Sequence, residues 1–156
     1  MPKSHIAYVD ECGIDKYIYR EHGWSPRGEK IYSAISGRKY KRVGIVATQI
    51  DKEIVAPLQY DGAMDSVLFE TWFTERLLPS LPDCTVVVMD NATFHRKSKL
   101  IPLANAKGHE IIFLPPYSPE LNLIENFWAW LKRRLKKVIY QFDSLDEAIS
   151  DSFNLI

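Results

Sequence analysis

Thr85-Val86-Val87-Val88-Met89-Asp90 is a run of apolar, mostly β-branched residues that ends abruptly in a carboxylate. Continuous apolar character without alternation marks a strand covered on both faces, which in turn calls for helices on each side of its sheet. The strand delivers Asp90 at its carboxyl end. Just upstream, Leu68, Phe69, Trp72, Phe73 and Leu77 recur at helical spacing behind Asp65, a natural N-cap, so a helix is expected there, stopped by Pro79. Further back, residues 42–48 and 53–59 read as two strands joined by a turn over 49–52, close enough in sequence to be antiparallel neighbours.

The first strand spans residues 5–11. It alternates, with Ile6, Tyr8 and Asp10 on one face and Ala7, Val9 and Glu11 on the other, and it reads as ending in acid. Residues 12–38 carry four glycines and Pro26, the composition of a loop or irregular hairpin. Downstream of Asp90, residues 94–107 read as a helix stopped by Gly108, with Pro102 kinking it or delaying its start. A short strand over 110–114 ends at Pro115-Pro116. Ser118 as cap and Pro119 as first helical residue then open a long helix to about Val138. Ser144 and Glu147 form a capping box before a last helix bearing Leu145, Ala148, Ile149 and Phe153.

The order is three strands, helix, strand, helix, strand, helix, helix. It predicts an α/β fold: a mixed five-stranded sheet, three antiparallel strands followed by β-α alternation, with helices on both faces. The 156 residues suit one domain over 1–156, and no repeat, low-complexity tract or linker divides them. Apolar residues at 46% and charged residues at 26% exclude disordered and collagenous classes. No apolar run approaches the roughly 18 residues of a membrane span, and the start lacks a signal-peptide stretch, so an intracellular protein with no membrane partner is expected. Cys12 and Cys84 are far apart, and with four scattered histidines they give no zinc spacing, so both read as reduced structural thiols.

Three acids stand where acids are disfavoured. Asp10 and Asp90 follow apolar strand residues, although Asp is also a common turn former. On the long helix Phe127, Trp128, Leu131, Leu135 and Val138 fall within about 60° of Ile124, and Glu125 lies at about 100°, on the border of that stripe. Its neighbours three and four residues away are Leu121, Asn122, Trp128 and Ala129, so no helical cation accounts for it. Converging acids repel unless a cation sits among them. Hard divalent ions take oxygen ligands from a few carboxylates together with substrate phosphate, and two such ions promote in-line phosphoryl displacement.

VDEC at 9–12, VVVMDNATFHR at 86–96 and LPPYSPELNLIENFWAWLKRRL at 114–135 together resemble the DDE endonuclease domain of mariner-related bacterial insertion-sequence transposases. The 34 residues between Asp90 and Glu125 match the interval of one large branch of that family. The third block is the most specific, and the resemblance covers nearly the whole chain. It implies a ribonuclease H-like fold, with Asp10, Asp90 and Glu125 as catalytic and metal-binding carboxylates. It also implies Mg²⁺ (or Mn²⁺) as cofactor, two ions when DNA is bound, and cut-and-paste cleavage and strand transfer without a covalent protein intermediate. DNA, as element ends and target, and further copies of the chain would be the partners, in the bacterial cytoplasm at the nucleoid. Two departures stand out. Leu123 replaces the family's usual Pro, and the helix-turn-helix modules carried ahead of this domain are absent from these residues, so another chain or a longer form would supply them. A noncatalytic truncated transposase that inhibits intact copies, and a ribonuclease H-like structure-specific nuclease, are the alternative readings.

Secondary features complete the reading. Strand parity favours Asp10 over Glu11 as the ligand. Asn91, His95 and Asn122 are candidate supporting residues, each also explained by capping or packing. Lys132, Arg133 and Lys136, within the run from 132 to 137, are candidate DNA-backbone contacts, against the plainer reading of a solvated helix face. Arg38, Lys39, Lys41 and Arg42 form a second basic cluster. Trp24 and Trp130 could stack on bases, with local packing the safer assignment.

Overall fold

The computed structural model describes residues 5–15, 42–116 and 118–155. The glycine-rich segment from Lys16, including Trp24, Arg38, Lys39 and Lys41, lies outside them. Five strands, β1 (His5–Asp15), β2 (Arg42–Ile50), β3 (Glu53–Asp61), β4 (Thr85–Met89) and β5 (Glu110–Phe113), form one sheet in the order β3-β2-β1-β4-β5. The first three are mutually antiparallel, while β4 runs parallel to β1 and β5 parallel to β4. The expected mixed five-stranded sheet is therefore present.

Strand β1 is longer than expected. It continues past Glu11 to Asp15 because Gly13, read as the start of a loop, is instead paired with Gly44 of β2. Asp10 is thus inside the strand, not at its end. Its pairing with β4 nonetheless stops at Tyr8↔Val88, two residues earlier, so β1 and β4 part just before Asp10 and Asp90. Between β2 and β3, Asp51 and Lys52 both take positive φ, the backbone of a tight hairpin turn matched to strand twist. A bulge sets Ala56 and Pro57 of β3 against Ala47 of β2. It turns the Ala56 carbonyl toward the sheet face, where the Trp72 indole donates to it at 2.8 Å.

Two cores cover the sheet, one per face. Odd-numbered residues of β1, such as Ala7 and Val9, pack with Phe69, Trp72, Phe73 and Leu77 and with Leu100 and Ala104. These come from α1 (Ser66–Trp72), the wider π-helical turn Phe73–Leu77 that continues it, and α3 (Lys97–Ala106). The Asp65 side chain caps α1, accepting from the Leu68 amide at 2.8 Å. Pro79 does not stop this helical column; it falls within a final turn, α2 (Leu78–Ser80), where a proline near the start of a turn is tolerated. Helix α3 begins at Lys97, three residues later than expected, with Pro102 inside it and Gly108 at φ 81° just beyond.

Even-numbered residues of β1, Cys12 and Ile14 among them, face the other core with α4 (Ile124–Val138) and α5 (Leu145–Phe153). Helix α4 does not run from Pro119. A separate 3₁₀ turn, Pro119–Leu121, precedes it, and the chain is extended at Asn122. The cause is long-range: the buried Asn122 amide donates to the Val9 carbonyl at 3.0 Å, pinning this residue to β1 rather than to a helix. Ser118 makes no capping bond, whereas Ser144 caps α5 as expected, accepting from the Glu147 amide. Cys12 is buried but Cys84 is exposed, so only the first is a packed thiol.

Candidate active site

In an open sheet of this kind, ligands bind beyond the carboxyl ends of parallel strands, at the point where the chain order reverses. Here that point lies between β1 and β4. A cleft of about 300 Å³ opens there, lined by Asp10, Asp90, Asn91, Asn122 and Glu125 and walled by the Pro115-Pro116 turn. All three expected acids therefore share one cleft, each brought by a different element: β1, the end of β4, and the first turn of α4.

Asp10 is 8% exposed. Burial, a hydrogen bond shared with the Glu125 carboxyl, and the negative charges of Glu11 and Glu125 lift its carboxyl to about 8. A backbone hydrogen bond from Glu11 opposes this, and the Trp128 indole donates to Asp10 Oδ2 at 3.2 Å. Trp128 was expected only as a core residue; its position three residues after Glu125 on α4 brings its indole N–H to Asp10. A buried carboxyl hydrogen-bonded to a second one, with Asp90 in the same cleft, makes an oxygen-rich site whose donors a hard divalent cation fits.

Asp90 is held differently. The Ala92 amide and His95 Nδ1 both bond to its Oδ1, at 3.2 and 3.1 Å, and hold its carboxyl below the usual range, the His95 bond contributing most. His95 is buried, with Nδ1 also 2.9 Å from the Asp90 carbonyl and Nε2 2.8 Å from Glu11 Oε1. Burial alone would depress the His95 imidazole, but its bonds to Asp90 and Glu11 outweigh this and raise it to about 10. Burial raises Glu11, which His95 counters only in part.

Glu11 faces away from the cleft, as strand parity requires. Yet among the described residues it is Glu11, Asp90 and His95, not the three acids, whose ligand-type atoms lie within 4.8 Å of one another. Both ring nitrogens of His95 already point at oxygens, so this trio is satisfied internally. Asn122 lines the cleft and ties α4 to β1, whereas Asn91 is exposed at its rim.

The basic residues of α4 divide. Arg134 bonds Asp151 and Ser152 of α5 and is a packing residue. Lys132, Arg133 and Lys136 are exposed. Lys132 also reaches back toward Cys12, opposing the burial that pushes that thiol up to about 11. Trp130 packs on Phe127 with ring centroids 5.6 Å apart, the local role expected for it.

Residues 5–148 match the family described as DDE superfamily endonuclease. The y4pE/y4sA protein of Sinorhizobium fredii (strain NBRC 101917 / NGR234) is 33% identical over 114 residues, covering 69% of this chain and 71% of that protein. Among solved structures, the Mos1 transposase paired-end complex with left transposon end superposes with a TM-score of 0.65 at 14% identity, over 96% of this chain and 47% of that one. The Mos1 strand transfer complex gives 0.61 at 13%, covering 96% and 45%. A simian T-cell lymphotropic virus intasome gives 0.54 at 13%, covering 96% and 47%. The chain thus spans about half the length of these structural relatives, which share its ribonuclease H-like fold.

Proposed function

This chain belongs to the DDE superfamily endonucleases, and on that premise we propose that it is the catalytic domain of a cut-and-paste transposase, with Asp10, Asp90 and Glu125 as its catalytic carboxylates. The observation that carries the proposal is the convergence of these three acids in one cleft where β1 and β4 separate. Asp10, Asp90 and Glu125 would hold Mg²⁺ or Mn²⁺, two ions once DNA is bound. Bound there, the metal supplies the positive charge that activates an attacking oxygen and steadies the leaving oxygen at a DNA phosphodiester.

The protein's own groups prepare the site. Trp128 fixes Asp10 Oδ2, and Asn122 fixes the start of α4 against β1, so the carboxylates are oriented before substrate arrives. On a helical wheel Lys132 and Lys136 lie at about 80° and 120°, beside Glu125 at about 100°, so this edge of α4 turns from acidic to basic along its length. DNA backbone leaving the cleft would follow the basic part, with Arg133 beside it.

Choice of element ends would come from helix-turn-helix modules in a longer form or another chain, with further copies assembling on the DNA. No helix among the described residues is long and apolar enough to cross a membrane. We place the protein in the bacterial cytoplasm, at the nucleoid, where its DNA is. The test is strand cleavage of DNA bearing the element's ends, with Mg²⁺ or Mn²⁺. Cleavage lost in Asp10→Asn, Asp90→Asn and Glu125→Gln supports the assignment; equal cleavage by all four proteins refutes it.

A further inference from the structure

We propose that His95, anchored by Glu11, is a positioning residue that fixes the Asp90 carboxylate for metal binding; this rests on the reading of Asp90 as a metal ligand. The geometry is that of a clamp. His95 Nδ1 spans the Asp90 side chain and carbonyl, at 3.1 Å to Oδ1 and 2.9 Å to the backbone oxygen. Its Nε2 reaches Glu11 at 2.8 Å on the face of β1 opposite Asp10. Phe69, with its ring centroid 4.3 Å away, and Phe94, at 4.6 Å and edge-on, pack against the imidazole. With the Ala92 amide also on Oδ1, one Asp90 oxygen is committed to protein donors and Oδ2 is left for the cleft.

Adjacent acids of one strand thus serve opposite sides of the sheet: Asp10 enters the cleft, and Glu11 secures the histidine that orients the partner acid. With both ring nitrogens directed at oxygens, His95 supports a ligand and does not act as one. Groups that hold a metal's ligands in this way change affinity by about 10–100-fold when removed.

Mn²⁺ binding to the whole chain, measured by electron paramagnetic resonance alongside melting temperature, tests this. His95→Asn keeps a donor near the Nδ1 position, whereas His95→Gln reaches toward Glu11 and loses the Asp90 bond. Glu11→Gln preserves volume and guards against a histidine variant that fails to fold. We expect His95→Gln to weaken Mn²⁺ binding by about 10-fold or more, His95→Asn to recover much of that loss, and Glu11→Gln to fall between them. Equal binding by all three variants and the unsubstituted chain, or equal loss in the Asn and Gln variants, overturns the clamp while leaving the proposed function standing. Failure of the unsubstituted chain to bind Mn²⁺, or undiminished binding by Asp90→Asn, overturns both.

Discussion

Asp10 is a conflicted group, a carboxyl raised to about 8 by burial and by acidic neighbours. An acid whose folded value exceeds its unfolded one binds more protons when folded, so its contribution to stability is complete below its ordinary value and is lost as pH rises toward 8. Raised Glu11 and His95 act in the same sense, while lowered Asp90 acts oppositely, and only in acid. Metal-free protein should therefore lose stability from about pH 4 through pH 8, and on toward pH 10 where His95 deprotonates. Mn²⁺ should restore it most at the alkaline end, and Asp10→Asn should flatten both trends. Melting temperatures across that range, with and without Mn²⁺, check this; a slope unchanged by Asp10→Asn would contradict it. That Asp10 and Glu11 take opposite faces of β1 was legible from alternation alone. The destination of Glu11 was not, because its partner lies 84 residues away and a one-strand pattern shows which face a side chain takes but nothing of what waits there. Trp128 was hidden for a related reason: a helical wheel sees an apolar stripe and is blind to the indole N–H at its edge.

Among the elements, the buried strand from Thr85 to Met89 was readable to the residue, since unbroken β-branched character leaves little choice. Helix α4 was misread at its start for want of one contact, the Asn122 bond to Val9 across 113 residues, which no local capping rule contains. The corrected boundary also explains Leu123. It has φ −64° and ψ −20° at the entry to α4, is 47% exposed, and makes no bond through its N–H. Proline's ring imposes that φ and needs no N–H partner, so Leu123→Pro should stabilise the protein by about 0.4–1 kcal/mol through the unfolded chain. Urea denaturation measures this, and destabilisation would show that the local backbone or the Leu123 side chain matters more than its geometry suggests. β1 was cut short because Gly13 reads as a breaker, although opposite Gly44 it is simply a paired strand residue.

For the molecule as a whole, the element order fixed a mixed sheet, and the sheet alone brings β1 and β4 side by side, so the site's location follows from topology once the strands are placed. Charge was less legible. A net charge of zero conceals the polarity of α4, whose Glu125 edge ends in Lys132 and Lys136 while Arg134, on the other edge, is bound to α5. If the basic part follows DNA backbone, replacing each lysine by Ala should weaken binding at all sequences alike and lower the salt slope of log K by about 1 per lysine. Titration of duplex DNA at several salt concentrations measures the slope; an unchanged value would return these lysines to the solvated face.

Asp90 belongs to both the cleft trio and the tighter cluster with Glu11 and His95, so the position of the cation decides between the two. Crystals of the protein soaked in Mn²⁺ and measured for anomalous scattering separate the two directly. The predicted result is a Mn²⁺ peak in the cleft, ligated by Asp90 together with Asp10 or Glu125 and losing its occupancy in Asp10→Asn. A peak coordinated by Glu11 and His95 instead, on the far side of β1, would contradict it.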